Sequence, residues 1–494
     1  MNNLKEKAIR GGFARVFAQI VFFALRIGAL MVLARLLDPK DFGLVGMVTA
    51  FTSVLNLFRD FGLSTATVQR ADISDEQIST LFWINVLVGA ILTFSLAMMA
   101  PAVARFYHEP RLFWVTIALS TGFLINATGV QHSALLQREL RFTALAVIQV
   151  VALVVSTALG IGAALLGYGY WSLVVLSITL PLVSTVAFWV AKSWIPGRPR
   201  KGVGILPMVH FGGSVTLISL VIYVAYNLDK VLLGRFWGAE ALGIYGRSYQ
   251  IINIPTDNLN SAVGEVAFAA LSRLQHDPVR LRSYFLKGYS LVLALTVPIT
   301  CIIALFPHEL VMVILGPKWN LAVRILQLLA PTILIFAIIN PLGWLLFAMG
   351  MIKRSLQIAM VLTPVVIAGY CLGLPYGPNG VALGFSAAIT LWALPHIAWG
   401  VHGTPISFGD IMKVMTKPLS SGVVAVALAA GFQFLCPHWS PIPKLFVGVS
   451  ILLAAYTGML LYVMGQKAFY LDLLRQLTKR SSVAAEPPAA IQGA

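Results

Sequence analysis

The residues able to do chemistry in this chain are charged and polar groups set inside apolar runs. Arg15, Gln19 and Arg26 fall within about 40° of one another at 100° per residue, so they form one stripe on the first apolar segment. Thr216, Tyr223, Tyr226, Asn227 and Lys230 share a face of a later segment. If both stripes line one cleft, the result is a wet, cationic groove with aromatic walls. Cations pair the oxygens of a diphosphate, and tyrosines offer flat faces and hydroxyls to sugar rings. Arg15 also reads as a plain interface anchor, and Lys230 as a side chain that snorkels outward. Asp229 points about 100° away from Lys230 and so is not its simple partner. It is a candidate for coupling to a proton or sodium ion. Asp257, Asn260 and Glu265, in the stretch NIPTDNLNSAVGE, are secondary candidates for that role, or they solvate one half of their helix. His108, His132, His210 and His396 read as interface or packing groups.

No catalytic signature accompanies them. GxxxxGK[ST], GxSxG and the dinucleotide fingerprint are missing, and His308-Glu309 opens HELVM, which fails HExxH. No enzyme activity, cofactor or metal is expected. Asn126-Ala127-Thr128 has the form of a glycosylation triplet, but it lies inside an apolar run. Cys301, Cys371 and Cys436 sit in apolar stretches and read as small buried hydrophobes.

Placing such groups requires a membrane. The chain is 59% hydrophobic and 11% charged, where a soluble domain carries roughly 25% charged residues. About fourteen segments between residues 12 and 465 are long and apolar enough to span, each needing roughly 20 residues. The runs are continuous rather than alternating, which excludes an outer-membrane barrel. The net charge of +17 is scattered over short loops, unlike a phosphate-tracking patch, so nucleic acid is excluded. With a cytoplasmic N-terminus, most of the 35 Lys and Arg fall on the cytoplasmic side, which supports an even number of spans with both termini inside. MNNLKEKAIR resembles the start of a signal peptide, but Arg15 and Arg26 interrupt the apolar run, so a retained helix is expected. The longest polar connections, 63–78 and 267–283, leave no room for a soluble catalytic domain. The tail reads as an amphipathic helix, KAFYLDLLRQLTKR, followed by the disordered SSVAAEPPAAIQGA.

One turn is written twice. ARLLDPKDFGLVG (34–46) and GRFWGAEALGIYG (234–246) share Arg35 with Arg235, Gly43 with Gly243, and Gly46 with Gly246. Gly12 and Gly212 extend the register, and LLGYGYWSLVV (165–175) resembles LPYGPNGVALG (374–384). Six spans lie between the copies, so both enter the membrane in one direction. The expected fold is all-α and integral to the membrane: an N-terminal six-helix half (1–200), a parallel six-helix half (201–402), two extra helices (403–466) and a cytoplasmic tail (467–494). Parallel halves around a central cavity suit a rocking transporter. The repeated turn itself reads as structural: Arg35 and Arg235 cap negative helix ends, while Gly43 and Gly46 let the first two helices approach closely.

ARLLDPKDFGLVG, NLDKVLLGRFWGAEALGIYG (227–246) and ALLQRELRF (134–142) resemble the polysaccharide transporter family. It belongs to the flippase superfamily that also holds multidrug exporters and the lipid II flippase. The resemblance spans roughly residues 1–470 and is nearest to exopolysaccharide branches serving succinoglycan or colanic acid. It implies translocation of undecaprenyl-diphosphate-linked oligosaccharide across the bacterial inner membrane by alternating access. The implied partners are that glycolipid, membrane lipids, and polysaccharide polymerase and chain-length proteins. It carries over no invariant site, so the cavity residues Arg26, Lys230, Asn227, Tyr223, Tyr226 and Gln19 rest on the residues alone. The alternatives are a drug or cation exporter of the superfamily, which would favour an acidic cavity, and a lipid II-type flippase. A membrane-embedded polymerase or ligase would need a large outer loop.

Overall fold

The computed structural model describes residues 21–59, 64, 67–68, 73–199 and 206–472, with side chains throughout except at 206–222, 224–225, 259–262 and 265–266. Gly12, Arg15, Gln19 and the tail beyond 472 lie outside the described residues, as do the side chains of His210, Thr216, Asn260 and Glu265.

Every regular element among the described residues is helical. Hydrocarbon offers no water to the peptide groups, so each segment must bond its own backbone. The helices are α1 (21–36), α2 (Pro39–Asn56), α3 (Asp75–Tyr107), α4 (Leu112–Arg138), α5 (Phe142–Leu165) and α6 (Trp171–Ala191). Leu206–Arg273 follows, broken at Gly238, where φ 81° and ψ −174° leave the helical region; the arm before the break is α7 and the arm after it α8. Then come α9 (Pro278–Leu305), α10 (Pro307–Ile314), α11 (Ala322–Ala348), α12 (Ile352–Gly373), α13 (Gly377–Val401), α14 (Phe408–Leu435) and α15 (Pro441–Gly458). Nine stretches among the described residues are long and apolar enough to cross a membrane: α3, α4, α5, α6, α9, α11, the joined α12 and α13, α14, and α15 with its extension to Val463. The chain is a multi-pass helical membrane protein.

Helix starts follow local chemistry. Ser74 and Gln77 form a reciprocal cap at α3, as Ser407 and Asp410 do at α14. Pro39 opens α2 where its missing N–H costs nothing.

The chain divides into two compact units. One comprises Met1–Ile251, Val311–Leu329 and Ala359–Ile389; the other comprises Ile252–Leu310, Ala330–Ile358 and Thr390–Ala494. In the first, α4 and α6 are tied by Thr185 Oγ1 donating to the Ile125 carbonyl at 3.0 Å and Trp189 Nε1 donating to Thr128 at 2.8 Å. In the second, α9, α14 and α15 close around Val297, Phe306, Ala425, Leu452 and Tyr456. There Lys444 pairs with Glu309 at 3.0 Å, which gives the acidic residue of HELVM a structural partner.

The repeated turn crosses itself inside the first unit. A Cβ on Gly43 would fall 1.6 Å from the Ala239 carbonyl oxygen, and a Cβ on Gly243 would fall 1.9 Å from the Pro39 carbonyl oxygen. Residues 39 and 239 occupy the same place in the two copies, so the contact is reciprocal. Gly43 therefore makes room for the second copy, where the sequence suggested a close approach of the first two helices. Gly46 faces the Leu242 side chain at 3.5 Å.

Candidate functional site

The candidate site grows out of this crossing. α7 descends to Gly238 and α8 leaves it, which sets Asp229 opposite Tyr245. Asp229 is fully buried. Its carboxylate accepts from the Tyr245 hydroxyl at 2.7 Å and from the Lys230 backbone N–H at 2.8 Å. It makes no ion pair among the described residues. Around it runs an aromatic ladder: Tyr245 stacks on Tyr249 at 6.0 Å, Tyr249 meets Phe385 of α13 at 6.1 Å, and Phe385 stacks on Tyr370 of α12 at 5.3 Å. The Tyr370 hydroxyl is buried and has no hydrogen-bond partner among the described residues. A carboxylate taken from water without a counter-ion costs several kcal/mol, so this arrangement is expensive and marks the spot as chemically committed.

The Lys230 ammonium has its own near contacts. It donates to Asn227 Oδ1 at 2.6 Å and lies 5.0 Å from the centre of the Tyr249 ring. Tyr223 hydrogen-bonds Ser53 of α2. Tyr226 is half-buried on the same arm.

Arg26 is exposed on α1. It feels the charge of Arg247 on α8, and Arg247 lies over the Phe42 ring at 4.2 Å and donates to Gln250. Neither guanidinium pairs with a carboxylate among the described residues. Arg247, which follows directly on the repeated turn, is not among the candidates that the sequence singles out. The usable signal was the spacing of Tyr245, Arg247 and Tyr249 beyond Gly243. Tyr245 was missed for the same reason, since it sits inside the turn between its two glycines.

The remaining predicted residues scatter. Asp257 is exposed on α8, within the second unit. His108 contacts Arg235 at 3.0 Å, and His132 stacks on Trp189 at 4.2 Å while meeting the Trp194 carbonyl at 3.0 Å. These are packing roles. Arg35 donates to the Val313 carbonyl at 2.8 Å, near the end of α10 and not of its own helix. The described residues hold no cluster of His, Cys, Asp and Glu fit for a metal.

Comparison with known proteins agrees with the fold. The lipid II flippase MurJ, in an inward closed conformation, superposes with a TM-score of 0.72, covering 94% of this chain and all of that one at 14% identity. The lipopolysaccharide biosynthesis protein WzxC of Escherichia coli (strain K12) is 28% identical over 393 residues, 78% of each chain. The teichuronic acid biosynthesis protein TuaB of Bacillus subtilis (strain 168) is 32% identical over 334 residues, covering 67% of this chain and 68% of its own. The polysaccharide biosynthesis protein family matches residues 32–324, which include both copies of the repeated turn and Asp229, Lys230, Tyr245 and Tyr249. The chain belongs to that family of polysaccharide biosynthesis proteins.

Proposed function

We propose that the chain translocates undecaprenyl-diphosphate-linked oligosaccharide units from the cytoplasmic to the outer leaflet of the bacterial inner membrane, for export as polysaccharide. It acts as a transporter and not as an enzyme. The observation that carries this reading is the set of cations that form no ion pair among the described residues, Arg26, Arg247 and Lys230, on helical segments of a polysaccharide-family membrane protein. A diphosphate is the ligand such a set awaits. Tyr223, Tyr226 and Asn227 complete a polar lining for the sugars, while the lipid tail stays in hydrocarbon.

Alternating access of the two six-helix halves, in a chain of about fourteen spans with both termini cytoplasmic, belongs to the same proposal. So does coupling through Asp229, with Asp257 and Glu265 in support. The membrane potential contributes as well: moving negative charge outward from an inside-negative cell gains about 2.3 kcal/mol per charge per 100 mV. Polymerase and chain-length proteins would act on the delivered units.

The test is deletion in the native host with analysis of lipids and of secreted polymer. The expected result is loss of polymer with diphosphate-linked oligosaccharide held in the inner leaflet, restored by the wild-type chain and not by Arg26→Ala. Normal polymer together with raised sensitivity to cationic drugs would overturn the reading in favour of an exporter.

A further inference from the structure

A second polar space lies in the first unit, away from the Asp229 cluster. It is a cleft of about 420 Å³ enclosed by the end of α2 and by α4, α5 and α6. That size is within the ~300–1,000 Å³ of small-molecule sites. Asn126, Ser133 and Gln137 of α4 reach it from one helix face, Gln149 from α5, and Arg59 from beyond α2. The Arg59 Nε is buried with no hydrogen-bond partner among the described residues. Among the described residues, no carboxylate lines the cleft.

Such a collection is costly in a membrane helix bundle unless something fills it. Each carboxamide has a donor and an acceptor side by side, which matches a pair of adjacent hydroxyls. Three carboxamides and a hydroxyl around one space therefore match a ring with hydroxyls on several edges. Phe188, on the same wall, suits the C–H face of such a ring. The solitary guanidinium adds an anion: a carboxylate or phosphate on that ring takes two parallel N–H bonds from it. The wall is rigid, because Trp189 is held by Thr128 and stacked on His132. The cleft also lies toward the end of the unit bearing Arg138, Arg141 and Lys192, which the charge rule assigns to the cytoplasm.

We infer that this cleft is a second carbohydrate subsite, which holds an anionic sugar of the glycan on its entry from the cytoplasmic side. The inference rests on the flippase reading for the source of that sugar. The other source of an anionic polyol in a membrane is a lipid headgroup such as phosphatidylglycerol.

The test uses the full chain in phosphatidylcholine nanodiscs. Two soluble probes are offered, a glucose–glucuronate disaccharide and its neutral glucose–glucose counterpart, with binding read by saturation-transfer NMR. Wild-type protein should bind both and prefer the acidic one. Arg59→Met should weaken the acidic probe at least tenfold and leave the neutral one within twofold. Asn126→Leu with Gln149→Leu should weaken both at least tenfold. A diazirine-bearing acidic disaccharide, used on wild-type protein so that variant folding is not at issue, should label peptides within 126–149 or 180–188. Labelling elsewhere, or equal binding by wild type and variants, overturns the subsite. So does loss of labelling on adding phosphatidylglycerol where the soluble disaccharide fails to compete, since the cleft would then hold a headgroup. Translocation of a farnesyl-diphosphate disaccharide in proteoliposomes separates the two proposals. Sugar binding in the cleft with no translocation sinks the flippase and keeps the subsite. Translocation whose KM for an acidic disaccharide is unmoved by Arg59→Met sinks the subsite and keeps the flippase.

Discussion

The two copies of the turn share a crossing and little else. Gly43 meets the carbonyl of residue 239 and Gly243 that of residue 39, so backbone geometry repeats across 200 residues. The flanks do not. Where the second copy has Asp229, Lys230, Tyr245 and Arg247, the first has Ala29, Leu30, Val45 and Met47, and all four of those are buried apolar packing. Arg26 stands where the second copy has Tyr226. The supports differ as well: Trp319 is fully buried beneath the first copy and donates to Ala34 at 2.8 Å, while Trp237, on the second, is 47% exposed. The difference teaches that the repeat fixes a shape, and that each arm carries its ionisable residues at its own positions.

The largest expected effect breaks the shared part. Gly43→Ala and Gly243→Ala each drive a methyl into a carbonyl oxygen that belongs to the backbone of the other copy. Strain of this kind costs at least the ~1–3 kcal/mol of overpacking, and more here because a helix must move. Both variants should lose most monodisperse protein on gel filtration in detergent. If one were tolerated and the other not, the crossing would not be reciprocal.

Next is the difference in support. Trp319→Ala removes a fully buried indole and its hydrogen bond, so a loss of about 3–5 kcal/mol is expected. Trp237→Ala removes a half-exposed ring bonded to the Leu374 carbonyl, and about 1 kcal/mol should go. Thermal unfolding of the two purified variants compares them directly; equal losses would show that the copies are braced alike.

Exchanging second-copy residues for their first-copy counterparts tests the ionisable residues of that arm. Arg247→Met and Lys230→Leu should leave the protein folded, since desolvating an unpaired cation is not a source of stability. Translocation of the diphosphate-linked glycan should fall at least tenfold. Asp229→Asn keeps the shape and the acceptor for Tyr245; coupled transport should drop while binding persists. Normal transport by all three would leave the polar arm without a role.

Much of this comparison was legible beforehand. Continuous apolar runs gave the helical membrane class, because lipid permits few other solutions. The glycine spacing gave the repeat, and Arg26, Lys230 and Asp229 were visible as charges where charge is costly. What stayed hidden was pairing. Nothing local says that Gly43 meets Ala239, since that depends on two segments packing from far apart in sequence. Tyr245 and Arg247 were hidden because a turn motif masked them. The amide cleft was missed because Asn126, Gln137 and Gln149 are neutral and solitary on their own helices, and converge only in three dimensions.

The smallest effect sharpens the comparison at its rim. The loop 108–111 touches both copies: His108 meets Arg235, and Glu109 feels Lys40. Arg111 donates to both Glu109 oxygens, at 2.7 and 2.9 Å. Its guanidinium holds the Glu109 carboxyl below the usual carboxylate range. A depressed carboxylate contributes stability above its unfolded value of about 4.3, and that contribution disappears as pH falls through the lowered folded value. The pair is partly exposed, so the contribution stays below about 1 kcal/mol and weakens in salt. Glu109→Gln should therefore lower the thermal midpoint by a degree or two at pH 7 and low ionic strength, as about 2–4 °C per kcal/mol is typical of larger domains. The gap should close as the medium is acidified below pH 4. A gap that persists there would mean that the side chain packs the rim through its shape and not through its charge.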